Sequence, residues 1–178
     1  MLHDQQIPAA EEFTLRLNVS GPDQTLALGR AVAGLLQGGE IILLYGPLGA
    51  GKTCFSQGLC SGLSVSDDVV SPTFTLINTY IGGPFLVHHL DFYRVSPDHN
   101  LDDIGVPDIL DEVFSGQAVA LIEWPDPILP ELGSGASPLE LLALPGESPD
   151  ERIWHLRAQP EIPDPWVRLF HDFSTTWE

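Results

Sequence analysis

A glycine-rich stretch of eight residues, 46–53, carries the clearest chemical signal in this chain. Its spacing is G-x-x-x-x-G-K-[ST], the phosphate-binding loop (P-loop) of many nucleotide-binding proteins. Glycines let backbone N–H groups approach an anion, and a helix that begins directly after the loop adds unpaired N–H groups and partial positive charge. We expect Lys52 to reach the β- and γ-phosphates of ATP and the Thr53 hydroxyl to ligate Mg²⁺.

The flanking sequence favours a P-loop over a plain glycine turn ahead of a helix. A continuous apolar run before the loop, residues 41–45, predicts a strand buried on both faces. The segment after the loop predicts a helix from Lys52 to about residue 59 or 62. Lys52 is also the only lysine of the 178 residues, and it occupies the position where a P-loop requires one.

Two carboxylates that end predicted strands are candidates for a metal site. Asp91 follows the strand predicted over residues 85–90, and Glu123 follows the one over residues 118–122. The ends of parallel strands converge where ligands bind in open α/β folds, and a P-loop ATPase needs a carboxylate for its magnesium shell. We expect both to support Mg²⁺, or Glu123 to orient the attacking water. The alternatives are a turn cap at Asp91 and an ordinary surface glutamate.

Hydroxyl side chains in residues 71–75 lie between the P-loop helix and the strand that ends at Asp91. Their place in the chain is that of a nucleotide-sensing switch, in which Thr73 contacts the γ-phosphate or its magnesium. A polar loop without that role fits the pattern equally well. His88 and His89 alternate along a strand, so we expect one of them to be buried. Without further ligands they do not predict a zinc site.

Strands and helices alternate along the chain, which predicts an α/β fold. We expect a P-loop NTPase-like, three-layer arrangement with a mostly parallel central sheet and a few antiparallel strands. The other predicted elements follow from apolar periodicity and turn residues. They are a strand over 13–19, a helix over 25–36 after a start signal at 20–23, a strand over 69–80 that forms a hairpin with 85–90, a broken helix over 102–114, a proline loop over 125–130 and an antiparallel pair, 139–144 with 152–158.

Proline and aromatic residues distinguish the end of the chain. We predict an ATPase domain over residues 1–158 and a Pro-rich tail over residues 159–178. The tail is expected to pack on the domain, with partner binding as the alternative. Its aromatic residues are Trp166, Phe170, Phe173 and Trp177.

Composition limits the possible partners. The net charge of −18 disfavours direct binding of DNA or RNA, because such binding depends on basic side chains that neutralise phosphates. No run of about 18 apolar residues occurs, so a membrane span is not expected. The N-terminal residues lack the layout of a signal peptide, and we expect a cytoplasmic protein. Cys54 and Cys60 fall in one predicted helix, which favours buried thiols over a disulfide framework.

Four segments in this order resemble the TsaE family, also called YjeE. They are residues 46–53, then Val-Ser-Pro-Thr-Phe-Thr at 70–75, His-Leu-Asp-Phe-Tyr-Arg at 89–94 and Ile-Glu-Trp-Pro at 122–125. The likeness covers roughly residues 13–158. It implies a small cytoplasmic ATPase that works with TsaB and TsaD to install threonylcarbamoyl on the adenosine beside the anticodon of tRNA. TsaD would transfer the group, ATP hydrolysis would sustain turnover, and tRNA would be met only through these partners.

The resemblance also implies roles for residues. Lys52 and its loop would bind phosphates, Trp124 would lie near the site, and the adenine would be contacted from the start of the first helix, where this chain has no sharp motif. The expected catalytic residues are Glu123, Asp91 and Lys52, and the expected metal ligands are Thr53, Glu123 and Asp91. The residues expected to contact ATP or ADP are Gly46, Leu48, Gly49, Ala50, Gly51, Lys52, Thr53, Cys54, Thr73 and Trp124.

Three other functions also use a P-loop. A GTPase needs an Asn-Lys-x-Asp motif, which is impossible when the sole lysine is Lys52. A small-molecule kinase usually places several arginines around two sets of phosphates, whereas the six arginines here are scattered. A non-hydrolysing interaction module would not need Asp91 and Glu123. The kinase and the module stay open as alternatives.

Overall fold

One mixed sheet organises the part of the chain that the computed structural model describes, residues 6–96 and 99–176. Its seven strands have the spatial order β1-β7-β6-β2-β5-β4-β3. They are β1 (Leu15–Ser20), β2 (Ile41–Tyr45), β3 (Ile77–Gly82), β4 (Phe85–Asp91), β5 (Ala118–Glu123), β6 (Leu139–Pro145) and β7 (Glu151–Ala158). In those same residues the four α-helices are α1 (Gly21–Ala33), α2 (Lys52–Gly62), α3 (Val106–Phe114) and α4 (Asp164–Thr176).

The core of the sheet is parallel and its margins are antiparallel. Parallel pairing joins β6 to β2, β2 to β5 and β5 to β4. Antiparallel pairing adds β7 and β1 on one side and β3 on the other. Every residue of β2 and β5 is buried, as expected of strands covered by helices on both faces. The predicted α/β fold with a mostly parallel core is confirmed.

Two apolar clusters make the three layers. On one face of the sheet, side chains of α1, α2 and α4 pack against Ile42, Leu44 and Leu121. On the other face, α3 packs against Leu43 and Ile122. The alternation of neighbouring residues between the two clusters follows from the two-residue period of a strand.

The sheet brings the ends of three strands together. Leu44 of β2 is in register with Glu123 of β5, and Glu123 is in register with Asp91 of β4. Because these strands are parallel, both carboxylates leave the sheet at the same edge, next to the start of α2. The P-loop lies between β2 and α2 at that edge.

Several element boundaries differ from the prediction. The strand predicted over residues 69–80 is wrong for residues 69–76, where Pro72 accepts a hydrogen bond from the Leu76 N–H and Leu76 has a positive φ of 64°. Helix α1 begins at Gly21, within the predicted start signal at residues 20–23, and ends at Ala33, before the predicted end at residue 36. The Ser20 side chain does not cap it; instead the Gln24 side chain accepts from the Ser20 N–H at 2.7 Å.

Prolines interrupt the helices less than the sequence predicts. Pro107 lies in the first turn of α3, where its missing N–H is no loss, so it does not interrupt that helix. The predicted proline loop contains a 3₁₀ helix, Asp126–Leu132. The tail contains α4, in which Trp166 and Phe170 are buried in the cluster with α1 and β1. The predicted contact of Trp177 lies outside the described residues, and the domain division at residue 158 stays a prediction.

No helix in residues 6–96 and 99–176 has both the length and the apolar character that a membrane span needs.

Candidate functional site

The P-loop backbone is shaped by glycines at its two ends. Gly46 has φ 131° and Gly51 has φ 101°, conformations that L side chains rarely adopt. A Cβ atom on Gly46 would also overlap the backbone carbonyl of Ala143 in β6. Gly51 directly precedes α2. The unpaired N–H groups of the first helical turn therefore point toward the loop.

Lys52 is the first residue of α2 and is 4% exposed. Its Nζ donates to the carbonyl oxygens of Gly46 at 2.7 Å and Pro47 at 3.1 Å. Burial lowers the pKa of Lys52 from its ordinary value, while nearby Glu123 and Asp91 act in the opposite direction. The ammonium group is thus held inside the curve of the loop by the loop's own carbonyls.

Thr53 and Glu123 are in direct contact. The Thr53 Oγ1 donates to Glu123 Oε1 at 3.0 Å and lies 3.4 Å from Oε2. Glu123 is 3% exposed, so the alternative of an ordinary surface glutamate is wrong. A hydroxyl and a carboxylate side by side are hard oxygen donors of the type that Mg²⁺ prefers, usually together with phosphate oxygens and water.

Asp91 binds the hydroxyl loop of residues 71–75. Its Oδ2 accepts from Ser71 Oγ at 2.8 Å and from Thr73 Oγ1 at 2.6 Å. Its Oδ1 accepts from the Tyr93 N–H at 2.9 Å, so the carboxylate also caps the following turn. The interpretation of Asp91 as a turn cap is therefore confirmed, and its role in a magnesium site stays a prediction. The arrangement links the hydroxyl loop to the strand end that carries the metal candidates.

The Trp124 ring packs against the Lys52 ammonium group. The Trp124 φ of 55° is a left-handed conformation that is unfavourable for a bulky residue. This backbone turns the indole back so that its ring centroid lies 4.1 Å from Lys52 Nζ and 5.0 Å from the Tyr93 ring. Strain of this kind concentrates at functional sites, and here it places an aromatic wall beside the P-loop lysine.

These residues line one cavity of about 380 Å³. Of the predicted nucleotide-contacting residues, Gly46 is absent from the lining, because its carbonyl accepts from Lys52 and its Cα packs against β6. Three lining residues were not predicted as site residues: Ser71, Tyr93 and Arg94. They belong to the two motif segments that contain Thr73 and Asp91, and this membership is the sequence signal that could have identified them.

A second cavity of about 250 Å³ lies on the other side of the P-loop. It shares Gly49, Gly51 and Cys54 with the first cavity and adds the start of α1 and residues 149–152. Arg152 spans its edge, with one guanidinium nitrogen 3.4 Å from the Gly49 carbonyl oxygen. The structure therefore brings the start of the first helix next to the P-loop.

The two cysteines differ from each other. Cys60 is fully buried, and burial raises its pKa to about 12. Cys54 is half-buried and faces both cavities, so the prediction of two buried thiols is wrong for Cys54. Burial and, to a smaller degree, nearby Asp23 raise the pKa of the Cys54 thiol.

The two neighbouring histidines are both buried, whereas one was expected to be. His88 faces α3, where its Nε2 lies 2.7 Å from Glu112 Oε2, and its Nδ1 lies 2.9 Å from Thr79 Oγ1 of the neighbouring strand β3. His89 faces the site, where its Nε2 lies 2.9 Å from Glu123 Oε1. Sequence reasoning missed this contact, because the pattern showed only that the two side chains point to opposite faces.

Comparison with known proteins gives a consistent result. Residues 19–145 match the family model described as threonylcarbamoyl adenosine biosynthesis protein TsaE. A tRNA threonylcarbamoyladenosine biosynthesis protein TsaE from Bacillus subtilis is 39% identical over 110 residues, which are 62% of this chain and 66% of the relative. The protein of the same name from Treponema pallidum is 39% identical over 108 residues, which are 61% of this chain and 76% of the relative.

The fold has a solved counterpart as well. The crystal structure of YdiB from Bacillus subtilis superposes with a TM-score of 0.67 at 29% sequence identity. The superposition covers 92% of this chain and 96% of that one.

Proposed function

The chain belongs to the TsaE family, and on that premise we propose that it binds and hydrolyses ATP with Mg²⁺ during the biosynthesis of threonylcarbamoyladenosine in tRNA. The observation that carries the proposal is the convergence of Lys52, Thr53 and Glu123 on one cavity at the edge of the sheet. A glycine loop, a single buried ammonium group and a hydroxyl–carboxylate pair are the parts that a phosphoryl-transfer site needs.

The phosphates of ATP would lie against the backbone N–H groups of residues 48–53. The hydrogen bonds from Lys52 to the Gly46 and Pro47 carbonyls keep its ammonium group beside the loop. When ATP binds, Lys52 would donate to phosphate oxygens instead of these carbonyls. Its stacking against Trp124 keeps the ammonium group within reach of the loop. Charge-assisted hydrogen bonds to phosphate are stronger than those to neutral carbonyls, which favours the exchange.

The oxygen donors at the strand ends fit a magnesium ion. Thr53 and Glu123 would hold it, and Asp91 would support it from the neighbouring strand. When bound, Mg²⁺ neutralises charge on the β- and γ-phosphates. Few side-chain ligands are needed, because Mg²⁺ typically keeps several waters and takes the remaining oxygens from the nucleotide.

The hydroxyl loop would report the state of the nucleotide. Thr73 now donates to Asp91, and a γ-phosphate in the cavity would compete for the Thr73 hydroxyl. Arg94, whose guanidinium lies 4.5 Å from the Phe74 ring centroid, brings a second cation to the cavity lining. We assign the second cavity, between the start of α1 and residues 149–152, to the adenosine end of the nucleotide.

TsaB and TsaD are the proposed partners, and a cytoplasmic location follows from that role. A net charge of −18 opposes direct contact with tRNA, since phosphate backbones are bound chiefly through basic side chains. The proposal is therefore that tRNA is met through the partners and that TsaD transfers the threonylcarbamoyl group.

The test is the rate of ATP hydrolysis with and without a purified TsaB–TsaD complex. We expect a slow rate for the isolated protein and a clear increase with the complex. The Glu123→Ala variant should still bind ATP but turn over about 10²-fold or more slowly, the size of effect seen when one transition-state contact is removed. Glu131→Ala, a change at an exposed carboxylate in the 126–132 3₁₀ helix, is the matched control and should keep the wild-type rate.

Three outcomes would contradict the proposal. Full activity in Glu123→Ala would remove the carboxylate from the mechanism. Nucleotide binding without any hydrolysis in the presence of TsaB–TsaD would favour the non-hydrolysing module. A small molecule that accelerates ATP loss and becomes phosphorylated would favour the kinase.

A further inference from the structure

His89 touches the candidate metal carboxylate from inside the core. The residue has no exposed surface, and its Nε2 lies 2.9 Å from Glu123 Oε1, with Glu123 itself 3% exposed. A carboxylate that holds a cation must accept this hydrogen bond, and the proton then lies on Nε2. The proposed function gives His89 no part in binding nucleotide or metal.

The two oxygens of Glu123 are held unequally. Oε1 accepts from Thr53 Oγ1 at 3.0 Å and also lies 2.9 Å from His89 Nε2. Oε2 makes one hydrogen bond with the described residues, a long one of 3.4 Å to the same Thr53 hydroxyl. When a cation engages Thr53, the hydrogen bond from His89 is the one that still fixes Oε1. The carboxylate is then unable to rotate freely, and Oε2 stays available.

The other ring nitrogen of His89, Nδ1, distinguishes the contact to Glu123 from simple packing. His89 Nδ1 is buried and has no hydrogen-bond partner in residues 6–96 and 99–176. An unpaired buried nitrogen is unfavourable, and an apolar side chain of similar size would avoid that cost. His88, one residue earlier on β4, has both nitrogens hydrogen-bonded. The polar contact that distinguishes His89 from a space-filling core residue is therefore the one to Glu123.

We propose that His89 is a positioning residue for Glu123, holding its carboxylate in the orientation that binds Mg²⁺ with the nucleotide. The inference rests on the proposed function. Hydrogen-bond partners of metal ligands typically change metal affinity or activity by about 10–100-fold when removed. We expect an effect of that size on the magnesium requirement, with the affinity for magnesium-free nucleotide nearly unchanged.

Side-chain length makes a sharp test. The amide nitrogen of glutamine is four bonds from Cα, as is His89 Nε2, and can replace the donor to Glu123. The amide nitrogen of asparagine is three bonds from Cα, as is Nδ1, and falls short. The pair His89→Gln and His89→Asn therefore separates the hydrogen bond from the loss of the ring. His88→Asn, on the same strand but facing α3, is the control for general disturbance of β4.

The readout is the Mg²⁺ concentration that half-saturates binding of the non-hydrolysable analogue AMPPNP, measured beside the free energy of unfolding. His89→Asn should raise that concentration about 10–100-fold, whereas His89→Gln and His88→Asn should stay close to wild type. Equal Mg²⁺ requirements for His89→Asn and wild type would overturn the inference and leave the proposed function standing. A wild-type protein whose AMPPNP binding ignores Mg²⁺ would overturn both.

A second measurement does not depend on any variant folding. With ¹⁵N-labelled histidine, the wild-type protein should show a proton on His89 Nε2 that couples to the ring nitrogen. An Nε2 without a proton would overturn the proposal, because the hydrogen bond to Glu123 would then have the wrong direction.

Discussion

At the scale of single residues, burial and neighbouring carboxylates have opposite effects on the charge of Lys52. Its ammonium group is almost fully buried, which disfavours the charge. Two backbone carbonyls, the Trp124 ring and two carboxylates offset part of that cost. The balance still lowers the pKa of Lys52 from 10.5. A bound triphosphate would add negative charge beside Lys52 and raise its pKa again.

This difference predicts that nucleotide affinity falls with rising pH. Between the lowered pKa of the free protein and the higher pKa of the complex, binding takes up a proton. The association constant for AMPPNP should then fall by up to about tenfold per pH unit in that window, which lies below or around 10.5.

Calorimetry in buffers of different ionisation enthalpy measures the proton uptake directly. The matched control is Lys52→Arg, whose guanidinium stays charged over this range. It should show weaker binding without the pH slope. Affinity that is independent of pH in the wild-type protein would contradict the assignment of Lys52 to the phosphates.

At the scale of elements, the contact between α1 and α2 fixes the site. Gly58 of α2 lies against the backbone of Leu26 in α1, so closely that a Cβ atom would overlap the Leu26 carbonyl. Gly29 of α1 lies equally close to the backbone of Phe55 in α2. Because α2 begins at Lys52 and α1 begins beside the second cavity, this packing sets the distance between the two halves of the proposed nucleotide site.

We therefore expect Gly58→Ala to lower the free energy of unfolding by about 1–3 kcal/mol, the usual cost of overpacking. It should also weaken AMPPNP binding, since the start of α1 must move away from the P-loop. Chemical denaturation and calorimetry measure the two effects. Gly135→Ala is the control, because no atom lies within 4 Å of the added carbon, and its effect should stay within about 0.5 kcal/mol. Equal stability of both variants would show that the helices can separate without cost.

Much of this framework follows from sequence, and the reasons are local. Strand β2 was predicted with its observed ends, since a continuous apolar run is bounded by Glu40 and Gly46. Helix α4 was missed although Trp166, Phe170 and Phe173 are spaced as on one helical face. Pro163 and Pro165 obscured that pattern, because prolines favour helix starts as well as loops.

The site itself divides in the same way. The P-loop and the two strand-end carboxylates were predictable, because each depends on a short segment and its flanks. The contact from His89 to Glu123 was not, because it depends on the register between β4 and β5. The second cavity likewise needs residues 149–152, which are about a hundred positions from the P-loop residues they meet.

At the scale of the whole molecule, charge sets the conditions for binding. A protein with 25 acidic and seven basic side chains repels a free triphosphate at long range. Among the described residues, the lining of the first cavity contains two basic side chains, Lys52 and Arg94, and two acidic ones, Asp91 and Glu123. Those four charges cancel, so the cavity gains no net attraction from its own side chains. We therefore expect tight binding of ATP to need Mg²⁺, whose charge adds net attraction between the cavity and the phosphates.

Every proposal above depends on binding of ATP and magnesium in the P-loop cavity, which isothermal titration with Mg²⁺ and AMPPNP measures. We predict one nucleotide per chain, much weaker binding in EDTA, and loss of binding in Lys52→Ala at unchanged fold by circular dichroism. ATP binding at this cavity would be contradicted if the wild-type protein produced no binding heat and AMPPNP did not protect Cys54 from alkylation. It would also be contradicted if Lys52→Ala bound AMPPNP as tightly as the wild-type protein does.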